Sequence, residues 1–292
     1  MRRVSSRIAV HVLPVISVFV GCSSGGDDNE GNGALDPNAP PVVDGDWYRP
    51  TVETTWQWQL QPDAGGEINI SHDVDVYDID LFDVPDETID ALQAAGRRVI
   101  CYFSAGSYEP FRDDAGEFDA AEIGRPLEGF EEERWLDIRS ANVHRIMGAR
   151  LDRAAARGCD GVEPDNVTGF SNGTGFPLTA DDQLAINRFL ANEAHARGLS
   201  VGLKNDLDQV PDLVAYFDFA VNEQCHEFDE CESLRPFIDA GKPVWNAEYA
   251  DSFVEDADER ARICEDSRAA NLRTLILPID LDDSFRFDCD VD

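Results

Sequence analysis

Between positions 161 and 206 the chain reads Gly161-Val162-Glu163-Pro164-Asp165-Asn166, then a turn-rich stretch, then Thr179-Ala180-Asp181-Asp182 before Gln183–Arg197, then Gly198 and Ser200–Asp206. Both ends are short runs with the character of buried strands. The middle carries apolar residues at helical spacing, with an acidic cap at its start and a glycine at its end. One strand, one helix and a second strand form a βαβ unit.

The same rhythm extends in both directions. Strands are predicted at Thr55–Gln61, Val74–Phe82, Arg98–Ser104, Gly161–Asn166, Ser200–Asp206, Phe217–Glu223, Pro243–Tyr249 and Thr274–Ile279. Helices are predicted at Thr88–Ala95 (opened by Pro85-Asp86-Glu87), Asn142–Arg157, Gln183–Arg197, Glu232–Ala240 and Asp256–Asn271. Gly96, Gly158, Gly198 and Gly241 close the first four. Eight such units in about 240 residues match a (β/α)8 TIM barrel, an α/β fold of typically about 250 residues. A doubly wound open sheet is the alternative, although no Gly-x-Gly-x-x-Gly opens a helix after a strand. The longest insertion, Tyr108 to Arg139, follows the third strand and would overhang the C-terminal face of a barrel.

Composition narrows the partners. The chain has 292 residues, with 24 Lys and Arg against 59 Asp and Glu, a net charge of −35. Hydrophobic residues at 42% suffice for a core, which excludes global disorder. Nucleic acid is excluded as a partner, because a polyanion would be repelled. No internal apolar run reaches the roughly 20 residues of a membrane span. Lys204 and Lys242 are the only lysines. Such a charge suits solubility or salt adaptation, or else a cationic partner drawn in by long-range attraction.

The N-terminus reads as an export leader. Arg2, Arg3 and Arg7 precede a short apolar run, Ile8 to Val20. Val18-Phe19-Val20-Gly21-Cys22 resembles a bacterial lipobox, with residues 1–21 as signal peptide and Cys22 as the lipidated residue. Phe19 replaces the usual leucine, so ordinary secretion is the alternative. Residues 22–50, with Pro37, Pro40 and Pro41, read as a flexible linker to a single domain over 51–292. An exported, membrane-anchored protein follows, touching the membrane only through its lipid. Cys101, Cys159, Cys225, Cys231, Cys264 and Cys289 remain, an even set that suits disulfides. Neighbouring segments suggest Cys101–Cys159, Cys225–Cys231 and Cys264–Cys289, one of fifteen connectivities. Zinc is the competing reading, without a Cys-x-x-Cys or His-Glu-x-x-His motif to support it.

Polar residues collect at the predicted strand ends. They are Asp78 and Asp80, Tyr102 and Ser104, Glu163, Asp165 and Asn166, Lys204, Asn205 and Asp206, Asn222, Glu223 and Gln224, Asn246, Glu248 and Tyr249, and Asp280. A barrel would gather them around one mouth. Alternation puts Gly161, Glu163 and Asp165 on one face and Phe219, Val221 and Glu223 on another. If both faces point inward, Asp165 and Glu223 meet at the rim from strands separated by one other. Two carboxyls across a cleft are what glycoside hydrolysis needs. Trp56, Trp58, Trp135 and Trp245 could stack on sugars, or belong to the core. An acidic mouth also suits calcium, but Asp73–Asp78 lacks the EF-hand glycine. No metal or cofactor is expected.

Several ordered segments resemble glycoside hydrolase family 114, the endo-α-1,4-polygalactosaminidases. They are Trp56–Leu60, Tyr77–Asp80, Cys101–Glu109, Asp137–Arg139, Gly161–Asn166, Leu203–Asn205, Asn222–Cys225 and Ala247–Tyr249. The resemblance spans about Thr51 to Asp283. It implies a TIM barrel that cuts α-1,4-linked galactosamine-containing polysaccharide internally, with Asp165 as nucleophile and Glu223 as acid/base, and with retention as in α-galactosidase barrels. Trp56, Asp78, Asp80, Tyr102, Ser104, Asn166, Lys204, Asn205, Asn222, Glu248, Tyr249 and Asp280 are then candidates for substrate binding. As the acid, Glu223 is expected to have a pKa raised by burial or by the Asp165 charge. A monomer is expected. A surface lipoprotein that binds a cationic exopolysaccharide without cutting it is the alternative, as is a hydrolase of a different α-glycan.

Overall fold

A computed structural model describes residues 35–291. Eight parallel strands run in sequence order: Trp56–Gln59, Val76–Asp80, Arg98–Ser104, Gly161–Asp165, Ser200–Lys204, Phe219–Glu223, Val244–Glu248 and Arg273–Ile276. All eight expected strands form, and their sheet curls into the barrel. The C-terminal segment bridges its first and last strands. Phe287–Asp288 pairs antiparallel with the eighth strand, and the N–H groups of Leu60 and Gln61 both donate to the Leu281 carbonyl at 3.1 Å. Leader and lipidation expectations for Cys22 lie outside the described residues.

Parity decides what fills the barrel. Trp56, Trp58, Val76, Ile100, Phe219, Val221, Trp245 and Leu275 form one buried cluster inside it. A glycine makes room in this cluster: a Cβ at Gly202 would fall 2.3 Å from the Phe219 ring, which packs 4.3 Å from Trp245. Alternate residues, such as Tyr77, Ile79, Val99, Val162 and Val201, point outward into a second core under the helices. Helix Ala141–Ala156 starts where Ser140 Oγ accepts the Asn142 N–H, and it buries Val143, Ile146, Met147 and Leu151. Helix Ala180–Ala196 carries a reciprocal Thr179–Asp182 capping box. Cys101–Cys159, Cys225–Cys231 and Cys264–Cys289 are each joined.

The structure differs from expectation in two places, and it gives the insertion a form that the sequence reading left open. The expected Glu232–Ala240 helix is a 3₁₀ turn, Cys231–Leu234, followed by Arg235–Asp239. The Tyr108–Arg139 insertion contributes to a three-stranded antiparallel sheet of Ser107–Tyr108, Ile123–Leu127 and Phe130–Leu136. The linker expectation fails for residues 36–50. Val42 N–H donates to Asn192 Oδ1 at 2.8 Å, and Tyr216 OH donates to the Ala39 carbonyl at 2.6 Å. Trp47 is buried, stacks on His195 at 4.0 Å between centroids, and donates to Asp218 Oδ1 at 3.0 Å. One indole gives this Pro- and Asp-rich segment an anchor that its composition conceals.

Candidate active site

The C-terminal ends of strands three to seven supply the centre. Asp165 ends the fourth strand, Lys204 the fifth and Glu223 the sixth. The expected parity holds, because all three side chains meet at the mouth. Lys204 Nζ lies 3.0 Å from Asp165 Oδ1 and 2.9 Å from Glu223 Oε2. These two contacts hold Asp165 Oδ1 and Glu223 Oε2 within about 6 Å of each other. Trp58 lies beside this triangle, with Lys204 Nζ 5.1 Å from its ring centroid.

Each carboxylate has further donors. Asp165 Oδ1 accepts the Asn166 N–H at 2.6 Å, and Oδ2 accepts Tyr102 OH at 3.0 Å. Asn166 has φ 60°, in the left-handed region. Its amide donates to Ser104 Oγ at 2.9 Å. Glu223 accepts Tyr249 OH at 2.7 Å on Oε1 and Asn205 Nδ2 at 3.1 Å on Oε2. Burial and the facing carboxylates push both tyrosines well above their ordinary range, so they remain donors.

The raised pKa expected for Glu223 is not found. Burial pulls it upward, but the Lys204 charge and hydrogen bonds from Tyr249, Lys204 and Asn205 outweigh that and hold it below the usual glutamate range. The expectation counted the nearby Asp165 and overlooked the cation between the two.

Beneath the triangle lies a buried acid pair. Asp78 and Glu163 are both 0% exposed. Among the described residues their oxygens meet no N–H or hydroxyl donor. Burial pushes both well above the usual carboxylate range, and the facing carboxyl raises Glu163 further. Two anions cannot persist there, so one carboxyl keeps its proton and donates to the other. Lys204 Nζ stands 3.9 Å from Glu163 Oε1. Asp78 therefore supports the site from below and does not reach substrate.

Most of the other candidates are buried or already bonded within the protein. Trp56 is 1% exposed and donates from its indole to the Arg273 carbonyl at 2.9 Å, deep in the barrel. Trp245 is likewise core, stacked 5.6 Å from Trp56. Asp80 is already paired with Arg112 at 2.6 Å. Asn222 points outward, because it alternates with Glu223, and bonds Asn246 Oδ1 at 3.1 Å. Glu248 is fully buried, and its carboxylate accepts the His226 and Glu227 N–H groups at 2.8 and 3.4 Å. Ser104 is buried as a support for Asn166. Asp280 is exposed on the cleft wall.

The cleft above Asp165, Lys204 and Glu223 encloses about 980 Å³. The insertion supplies a wall of this cleft, and it brings in Glu133, which was not among the candidates. Glu133 accepts Ser107 Oγ at 2.7 Å, and burial pushes its pKa up to about 7. Phe111 and Phe130 stand exposed beside it. Glu133 belongs to an acidic run, Glu131-Glu132-Glu133, in which nothing marks one residue as inward.

A family model for glycoside-hydrolase family GH114 matches residues 37–291. Among solved structures, the chain is similar to Aspergillus fumigatus Ega3, crystallised in complex with galactosamine. Identity is 40%, the TM-score is 0.79, and the match covers 86% of this chain and 100% of that one. The fold is also shared with the glycoside hydrolase domain of PelA from Pseudomonas aeruginosa, at 13% identity and a TM-score of 0.59, over 78% of this chain and 95% of that one. No curated protein sequence matches the chain.

Proposed function

This chain belongs to glycoside hydrolase family GH114, and from that premise we propose that it cuts α-1,4-linked galactosamine-containing polysaccharide internally, with retention of configuration. The observation that carries this reading is the Lys204 ammonium set between Asp165 and Glu223. Retaining enzymes hold their carboxyls about 5–5.5 Å apart, and inverting ones need roughly 6.5–9.5 Å. A separation capped at about 6 Å supports retention.

Asp165 is then the nucleophile. Its bonds from Lys204, Asn166 and Tyr102 fix its aim. It attacks the anomeric carbon as Glu223 gives a proton to the departing glycosidic oxygen. The resulting ester is opened by water, whose proton returns to Glu223. Glu223 must first take up a proton against the pull of Lys204. A sugar filling the cleft removes water and strengthens the burial that already favours its acid form.

The substrate class rests on chemistry and on kinship. A deacetylated galactosamine carries an ammonium, and Asp280, Glu133 and the −35 net charge favour a polycation. The structure of Ega3, the 40% identical relative, was solved with galactosamine. The leader and Cys22 support an exported protein tethered to the cell envelope by a lipid.

The test is release of reducing ends from partly deacetylated α-1,4-polygalactosamine, with product lengths resolved, by the parent, Asp165→Asn and Glu223→Gln. Release of mixed-length fragments by the parent alone is expected. Binding by all three without release supports the lectin-like alternative.

A further inference from the structure

A second lobe of about 370 Å³ adjoins the cleft. Glu223, Gln224, Asn205 and Thr168 line both spaces, whereas Asp165 lines only the larger one. The second lobe therefore opens on the Glu223 side, away from the nucleophile. Its walls carry Phe170, Phe228, Asp208 and Glu230.

Phe228 is 57% exposed, an apolar ring turned to solvent. Its loop is nevertheless tightly built. Cys225 and Cys231 close it with a disulfide across six residues. Phe228 N–H donates to the Gln224 carbonyl at 3.0 Å, and Glu230 N–H to the Cys225 carbonyl at 2.8 Å. From behind, the buried Glu248 carboxylate takes the His226 and Glu227 N–H groups, and His226 Nε2 meets Ser267 Oγ at 2.5 Å. Holding a buried carboxylate in place for a loop is costly unless its geometry matters. A rigid loop that presents one exposed ring beside a catalytic acid has the form of a binding platform.

We propose that this lobe holds the part of the polysaccharide that leaves, with the Phe228 ring stacked on the apolar face of a hexosamine and Asp208 and Glu230 facing its ammonium group. The assignment rests on the hydrolase reading and extends it. A nucleophile attacks the sugar in its own lobe, while the acid protonates the oxygen shared with the next unit, so the space bordered by Glu223 alone takes that next unit. Asp208 and Glu230 are exposed acids that suit a cationic sugar. Glu248 acts only through the loop, as a positioning residue.

The test uses reducing-end-labelled α-1,4-galactosamine oligomers of defined length with the parent, Phe228→Ala and Phe228→Trp. Stacking of this kind is worth about 0.5–1.5 kcal/mol, which corresponds to roughly two- to tenfold in kcat/KM. Phe228→Ala is expected to lose that factor on long oligomers and to move the cut toward the reducing end, because fewer units are held beyond the scissile bond. Phe228→Trp is expected to keep the parent cut pattern. An unchanged pattern in Phe228→Ala, whatever its rate, overturns the assignment while leaving the hydrolase reading intact. A parent enzyme that neither cuts nor binds the oligomers overturns both.

Discussion

The Lys204 ammonium sits 2.9 Å from Glu223 Oε2, and its charge helps hold Glu223 below the usual glutamate range. Lys204 is 3% exposed, so its charge acts through little solvent. The same ammonium touches Asp165. One cation thereby fixes the spacing of two carboxylates and biases the protonation of one.

Lys204→Met is expected to lower kcat by about 100-fold, the scale of an ångström-sized misplacement of reacting groups. It should also move the basic limb of the pH–rate profile upward. Lys204 favours the anion of Glu223, so its removal raises that pKa and keeps the acid protonated to higher pH. A pH profile of kcat/KM for both proteins checks this. A basic limb that stays in place separates Glu223 from the limb.

The buried pair beneath the site distinguishes an acid from an anion. In Asp78→Asn the amide can donate to Glu163 as the protonated acid does, so the fold should survive with a small change. In Asp78→Leu the Glu163 carboxyl loses its partner, at a cost of about 1–3 kcal/mol. Urea unfolding at pH 7 measures both. Equal losses would show that the proton shared by the pair has no structural role.

Glu133 gives a pH signature in stability. Its pKa in the folded chain is raised from 4.5 to about 7, chiefly by burial. Between those values the folded chain binds the extra proton, so this group makes stability fall as pH rises. Glu133→Gln should flatten that part of the melting-temperature profile between pH 4.5 and 7. A slope identical to the parent's removes Glu133 as its source.

Trp47 ties residues 36–50 to the barrel through His195 and Asp218. Trp47→Ala is expected to cost about 3 kcal/mol, as for other buried aromatic truncations. It should also expose the segment to limited proteolysis near Pro40 while leaving turnover unchanged. Protection equal to the parent's would contradict this anchoring role.

The barrel was legible because strand alternation and helix punctuation are local signals. They placed Asp165 and Glu223 on inward faces correctly. Where the sequence misled, the cause lay in distant partners. Asp80 looks free until Arg112, from the insertion, pairs with it. Glu248 looks like a rim acid until two loop N–H groups take it. Trp56 resembles a sugar platform until parity puts it inside the barrel. The lowered Glu223 pKa required knowing that Lys204 bridges the pair.

The most direct measurement is proton NMR of the anomeric region during the first turnovers on a partly deacetylated α-1,4-linked galactosamine oligomer. The α-anomer of the new reducing end should appear first, and the β-anomer should follow only by mutarotation. A β-anomer formed first would contradict the Asp165 nucleophile, and no new anomeric signal would contradict the proposed substrate.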